Sequence, residues 1–197
     1  MPNPIKFILK LAGWIVLIIA IIIGVMNLPF IQHKMGEVLS ERLSEQMGTE
    51  VHVGAVKPGF LVNFGVADVL VKDLNGEEML KVDEVETDIS VTDLLKQKIH
   101  VKQVTLQGLR VNLYQADKNS LPNFHFLMKN LGNSKLADKG KFDLNDCRFS
   151  IKNGSVNWDV QSEKKSQNSF NFNHVNIPDI TMDLQMSEIL NMAKKLL

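Results

Sequence analysis

The stretch FGVADVLV, residues 64–71, decides how this chain is read. Phe64 and Val66 alternate with other residues, as do Val69 and Val71, but the two pairs are separated by the two residues Ala67-Asp68. Side chains of a strand change face with every residue, so one extra residue sends the second pair to the opposite face unless a β-bulge absorbs it. The same interrupted alternation recurs in IHVKQVTL (Ile99, Val101, Val104, Leu106), FDLNDCRF (Phe142, Leu144, Cys147, Phe149) and FNFNHVNI (Phe170, Phe172, Val175, Ile177). We therefore expect bulges or bends at Ala67-Asp68, Lys102-Gln103, Asn145-Asp146 and Asn173-His174. A bulge repeated in successive strands bends a sheet consistently, so the expected fold is mainly β with a curved sheet. Asn75-Gly76 and Asn153-Gly154 lie between apolar alternations, where type I′ hairpins place such pairs, which predicts antiparallel neighbours. The spacing between copies is irregular, unlike a strict solenoid.

Upstream of the strands the pattern changes. Residues 11–28, LAGWIVLIIAIIIGVMNL, carry no charge and at about 1.5 Å per residue nearly cross a ~30 Å hydrocarbon core. The alternative is a cleaved signal peptide, but the run exceeds a typical apolar region of that kind and no A-x-A-like site follows Asn27. Residues 1–29 are read as a transmembrane anchor, with Leu11, Trp14, Ile18, Ile22, Val25 and Leu28 as its anchoring residues and Trp14 either at the interface or facing lipid. Lys6, Lys10 and the amino terminus precede it and Lys34 is the nearest cation after it, a bias that favours a cytoplasmic N-terminus. Ile31, Met35, Val38, Leu39, Leu43 and Met47 then follow helical spacing, and Gly48 is placed to end the helix. This amphipathic helix, residues 30–48, either covers the end of a sheet or lies on the bilayer surface. Residues 49–197 form the β domain. Short helices are expected at Thr92–Lys96 and Asn123–Leu131, and from a Ser187 cap onward, with polar loops at 133–141 and 161–169.

Composition excludes several chemistries. Lys+Arg and Asp+Glu number 22 each, so no basic excess points to nucleic acid. The single cysteine, Cys147, permits no intrachain disulfide or zinc cluster and, on an apolar repeat position, reads as a small buried hydrophobe. His33, His52, His100, His125 and His174 show no metal-ligand spacing, and His52 and His100 alternate with apolar residues as solvent-facing positions do. Asp73-Leu74-Asn75-Gly76-Glu77 resembles a calcium loop only faintly and is better explained as a hairpin turn. Asn153-Gly154-Ser155 matches a glycosylation sequon, for which a turn is again the simpler account. No nucleophile elbow, phosphate loop or dinucleotide fingerprint is present, and no catalytic residue, metal site or cofactor is expected.

Each strand offers one apolar face, and too few helices follow to cover it. Either the sheet closes as a sandwich over a dry core, or it stays open as a trough for an apolar ligand. The succession TEVHVGAV, DVLVKDLNGEEML, VTDLLKQKIHVKQVTLQGLRVNLY, LPNFHFLMKNL and FNFNHVNIPDITMDL behind a membrane anchor resembles the N-terminal region of TamB-like members of the AsmA-like superfamily. That resemblance implies a taco-like antiparallel β-groove in the periplasm of a Gram-negative cell, anchored in the inner membrane. It implies phospholipid as the cargo and an outer-membrane β-barrel of the TamA type as a partner. The sixteen apolar positions of the four copies would line the groove. Members of the family are many times longer, so the chain is either a fragment or a short groove module. An alternative reading is a periplasmic scaffold that assists outer-membrane protein assembly by edge-strand pairing.

Overall fold

In the computed structural model, residues 4–59, 63–89, 99–127, 142–143, 147–164 and 171–186 are described. Two helices precede the strands: α1 (Pro4–Met26) and α2 (Pro29–Met47). The strands are β1 (Val51–Pro58), β2 (Asn63–Lys72), β3 (Glu78–Ile89), β4 (Ile99–Gln107), β5 (Arg110–Gln115), β6 (Phe142–Asp143), β7 (Arg148–Val160) and β8 (His174–Gln185). All belong to one mixed, mainly antiparallel sheet running from β1 through β2 and β3 to β4 and β5, then β7 and β8.

The window Leu9–Met26 of α1 carries one charge, Lys10 near its start, is otherwise apolar or small, and none of it is buried against the rest of the chain. By length and composition this helix can cross a membrane. Leu11, Trp14, Ile18, Ile22, Val25 and Leu28 are all exposed on it or at its end. Pro29, whose missing N–H costs nothing in a first turn, opens α2, and left-handed Gly48 closes it by donating to Ser44 O at 2.9 Å.

Helix α2 lies along the free edge of β1. Gly36 lets the backbones approach, since a Cβ there would stand 2.7 Å from Val53 O. One and two turns on, Ser40 Oγ accepts the Val53 N–H at 2.8 Å and Ser44 Oγ accepts the Val51 N–H at 2.9 Å. The hydroxyls thus take the place of a further strand, and Met35, Leu39, Leu43 and Met47 pack on the buried valines Val51, Val53, Val56 and Val71. Of the two placements considered for this helix, it takes the one against the sheet.

The central strands depart from expectation. β4 and β5 are two halves of one strand: both pair with β3 in the same register across their junction, Glu84 with Gln107 and Leu80 with Val111. Both also run parallel to β7, Gln107 beside Lys152 and Arg110 beside Ser155. Asn75-Gly76 lies in the β2–β3 hairpin, with Gly76 at φ 85°. Asn153-Gly154 does not form a hairpin; it sits inside β7, with Asn153 left-handed at φ 54°. A pair suited to positive φ serves a hairpin or a mid-strand kink equally well, and here the strand continues through it.

At the β2–β3 turn a buried carboxylate organises the surrounding loops. Asp73 Oδ1 accepts the N–H groups of Asn75 (2.8 Å) and Glu77 (3.0 Å), and Oδ2 accepts the Tyr114 hydroxyl at 2.6 Å. Burial alone would raise the Asp73 pKa, but these donors outweigh it and hold the group below the usual aspartate value. Asn123 Oδ1 accepts Tyr114 N–H at 3.1 Å, which fastens the start of a helical turn at 125–127 to β5. Every oxygen of Asp73 is thus committed to the protein, the arrangement of a turn. The remainder of the helix expected at Asn123–Leu131, the helices expected at Thr92–Lys96 and after Ser187, and the polar loop at 133–141 lie outside the described residues.

Candidate functional site

Cross-strand registers turn the sequence pattern into rows. Val56, Val66, Val85, Leu106, Ile151 and Met182 stand side by side across β1, β2, β3, β4, β7 and β8. Two residues along, the row is Pro58, Phe64, Thr87, Val104, Phe149 and Leu184. Between them, on the opposite face, lies Lys57, Gly65, Glu86, Thr105, Ser150 and Asp183. In these rows one face of the sheet is apolar at every position but Thr87, and the other is polar at every position but Gly65, as alternation requires.

The alternation then breaks at one level in every long strand. Beyond the break the apolar row is Val51, Val71, Leu80, Val111, Val156 and Ile177. Val51, Val53 and Val56 belong to one buried cluster although Val53 and Val56 are an odd number of positions apart. The break keeps them on one face. Its backbone signature is positive φ at Asp68 (53°), Gly108 (65°) and Asn153 (54°), one in each of the three strands that run the same way. In the antiparallel neighbours β1 and β3 the facing residues are Gly54 and Asp83: a Cβ on Gly54 would come 2.9 Å from Asp68 Cβ, and one on Gly108 would collide with the Asp83 carboxylate. Asp83 in turn is paired with Arg110. Hydrogen bonding crosses the break, with Gly108 N–H donating to Lys152 O (2.9 Å) and Ser155 N–H to Leu109 O (2.7 Å).

Of the four copies read from sequence, the first is placed as expected. Val66, Val69 and Val71 lie on β2 around left-handed Asp68, and Phe64 is 41% exposed. The second is also interrupted where expected: the β3–β4 register slips between Asp88 and Ile89, opposite Lys102, and Val101 is buried. The side chain of Ile99 lies outside the described residues, as do that of Phe142 and the whole of Leu144, Asn145, Asp146 and Phe170. Cys147 is fully buried, which pushes its thiol pKa up, and Phe149 is half-buried beside Val104. The fourth copy differs. β8 begins only at His174, so Asn173-His174 is the end of a turn and not a bulge, and Phe172 projects from that turn 80% exposed. Asn171 Oδ1 accepts Asn173 N–H at 3.0 Å, so a side chain two residues back closes the chain there. Val175 and Ile177 lie on β8 as expected.

Sequence reading missed most of the aligned level. Leu106 and Leu109 around Gln107-Gly108, Ile151 and Gly154 around Lys152-Asn153, Leu80 and Val82 before Asp83-Glu84, and Ile177 and Ile180 around Pro178-Asp179 repeat the same interruption. The signal was present in each strand, and only the register shows which copies stand together.

The apolar face is buried along β1 and at Val101, Cys147, Leu109 and Val160, and is open towards β8, where Ile177 is 43% and Met182 38% exposed. Polar chemistry is sparse. His52 is exposed and His100 half-buried. His174 Nδ1 lies 2.6 Å from Asp159 Oδ1 and Nε2 lies 3.0 Å from Glu163 O, which pins the β7–β8 turn. Among the described residues no three or more His, Cys, Asp or Glu side chains gather as a metal site would need. The chain matches no family model, no curated protein and no solved structure.

Proposed function

We propose that this chain is a lipid-handling protein of the AsmA/TamB type, held in the inner membrane by α1 with its sheet in the periplasm. Its apolar face would carry phospholipid acyl chains between inner and outer membranes, with an outer-membrane β-barrel of the TamA type as the receiving partner. The observation that carries the reading is the alignment of apolar rows across β1 to β8, with Phe64, Ile177 and Met182 left partly open to solvent. Each methylene kept from water contributes about 0.8 kcal/mol, and rows of equivalent valines and leucines offer many equivalent positions and no single deep one. Such a surface holds a chain while letting it slide, and asks for no catalytic group or cofactor. The sheet would have to curve around its cargo, for which the repeated interruption supplies the local kinks.

The test is photocrosslinking in cells with a light-activated residue at Val104 or Phe149, and at Lys152, exposed on the opposite face, as control. Phospholipid adducts at the apolar positions and none at Lys152 are the expected result. Folded protein without lipid adducts would sink the reading.

A second reading, a scaffold that pairs edge strands, is favoured by one observation: β8 pairs only with β7 among the described residues, over twelve residues of strand. It requires protein crosslinks along β8 and no lipid on the apolar face.

A further inference from the structure

Between the outer side of α2 and the first apolar row of the sheet lies an open cavity of about 470 Å³, a size that suits part of a lipid or drug-sized ligand. Its wall is Ile31, Met35, Val38 and Leu39 from the helix and Val56 from β1. The polar groups on its rim are two cations, Lys34 and Arg42, separated by two helical turns with exposed Val38 midway between them. Apolar walls under a cationic rim suit an amphiphile with an anionic head, not a water-soluble anion or a neutral hydrocarbon.

Two further observations select the occupant. Only two residues separate α1 from α2, so Ile31 of the cavity wall stands five residues beyond the last residue of the apolar helix. Val56 is also the first member of the row that continues through Val66 and Val85 to Leu106, so the cavity and the apolar face share a wall. Lys34 is paired with Glu37 and Arg42 with Glu45 at 3.8 Å, but all four side chains are exposed, and such pairs hold weakly enough for a phosphate to displace the carboxylate.

We infer that this cavity is the loading site for a single anionic phospholipid, its acyl chain on Val38, Leu39 and Val56 and its phosphate between Lys34 and Arg42. The inference rests on the lipid-handling reading and adds where the lipid is taken up and which headgroup charge is preferred. Guanidinium and ammonium groups both donate to phosphate oxygens, and Arg42 can do so with two parallel N–H groups.

The test uses the full chain in vesicles of phosphatidylethanolamine and phosphatidylglycerol, with a benzophenone side chain replacing Val38 in one preparation, Phe30 in a second and Val104 in a third. Mass spectrometry after illumination should find phosphatidylglycerol on Val38. Lys34→Gln and Arg42→Gln should each lower that yield about fivefold, while leaving labelling at Phe30, exposed in the first turn of α2, unchanged. Excess inorganic phosphate should not compete, since it cannot use the apolar wall. Adducts at Val38 that ignore both substitutions, competition by free phosphate, or crosslinks to protein alone would each overturn the inference. Lipid at Val104 with none at Val38 overturns the loading site and leaves the groove standing; lipid at Val38 with none at Val104 does the reverse.

Discussion

The two edges of the sheet are built by opposite means. At β1 the edge is finished: serine hydroxyls of α2 occupy the outward N–H groups of Val51 and Val53, and valines beneath are almost wholly buried. At β8 the strand pairs on one side only among the described residues, and its apolar residues Ile177 and Met182 remain partly exposed. One sheet with one pattern of side chains thus has one flank closed by α2 and another left open among the described residues. The difference locates stability at β1 and availability at β8.

The sharpest way to break that contrast is a charge. Val53→Asp buries an unpaired carboxylate in a position 2% exposed and should cost about 4 kcal/mol or more, enough to unfold a marginal domain. Ile177→Asp should cost about 1 kcal/mol or less, both read from urea unfolding in detergent. Equal costs would mean that β8 is as deeply buried as β1. Gly36→Ala comes next: its Cβ meets backbone oxygens of Val53 and Gly54, which cannot step aside, so about 2 kcal/mol of the α2–β1 contact should be lost. Amide exchange should rise at Val51 and Val53 and stay unchanged along β8.

The Asp73 knot sharpens the same comparison by pH. Its carboxylate titrates below its unfolded value, so its stabilisation is complete above the ordinary aspartate range and is lost as pH falls through the lowered folded value. Tyr114→Phe removes one donor, should cost about 1 kcal/mol near neutrality, and should shrink the acid-dependent part of the loss. An acid unfolding curve identical to that of the parent would show that the hydroxyl contributes nothing. The smallest effect expected is from Met182→Lys at the open flank, within about 0.5 kcal/mol.

The interrupted alternation around Ala67-Asp68 was legible because period two is a local property of strands. Its partners across the sheet were not, because pairing joins residues as distant as Glu84 and Gln107, and no local spacing fixes a register. Asn153-Gly154 was misplaced for a related reason, since positive φ suits a turn and a kinked strand alike. Gly36, Ser40 and Ser44 carried a readable signal, small residues at every fourth position of an amphipathic helix, on the side that proved to meet a strand edge. Lys34, Val38 and Arg42 on another side were read only as part of the same helix; the cavity they border needs Val56, which the sequence places far along the chain.

The line of left-handed residues through Asp68, Gly108 and Asn153 behaves as a dislocation does in a crystal. From β1 to β7 the strands cross it in constant register, so their slips of phase match from neighbour to neighbour, and between β7 and β8 the register shifts at Gly154 and returns. Deleting a single residue at the line in one strand would restore that strand's strict period and invert half of it against unchanged neighbours. Length variation within the strands is therefore locked collectively, and lineages of this protein should gain and lose residues in the connections while the strands hold their count.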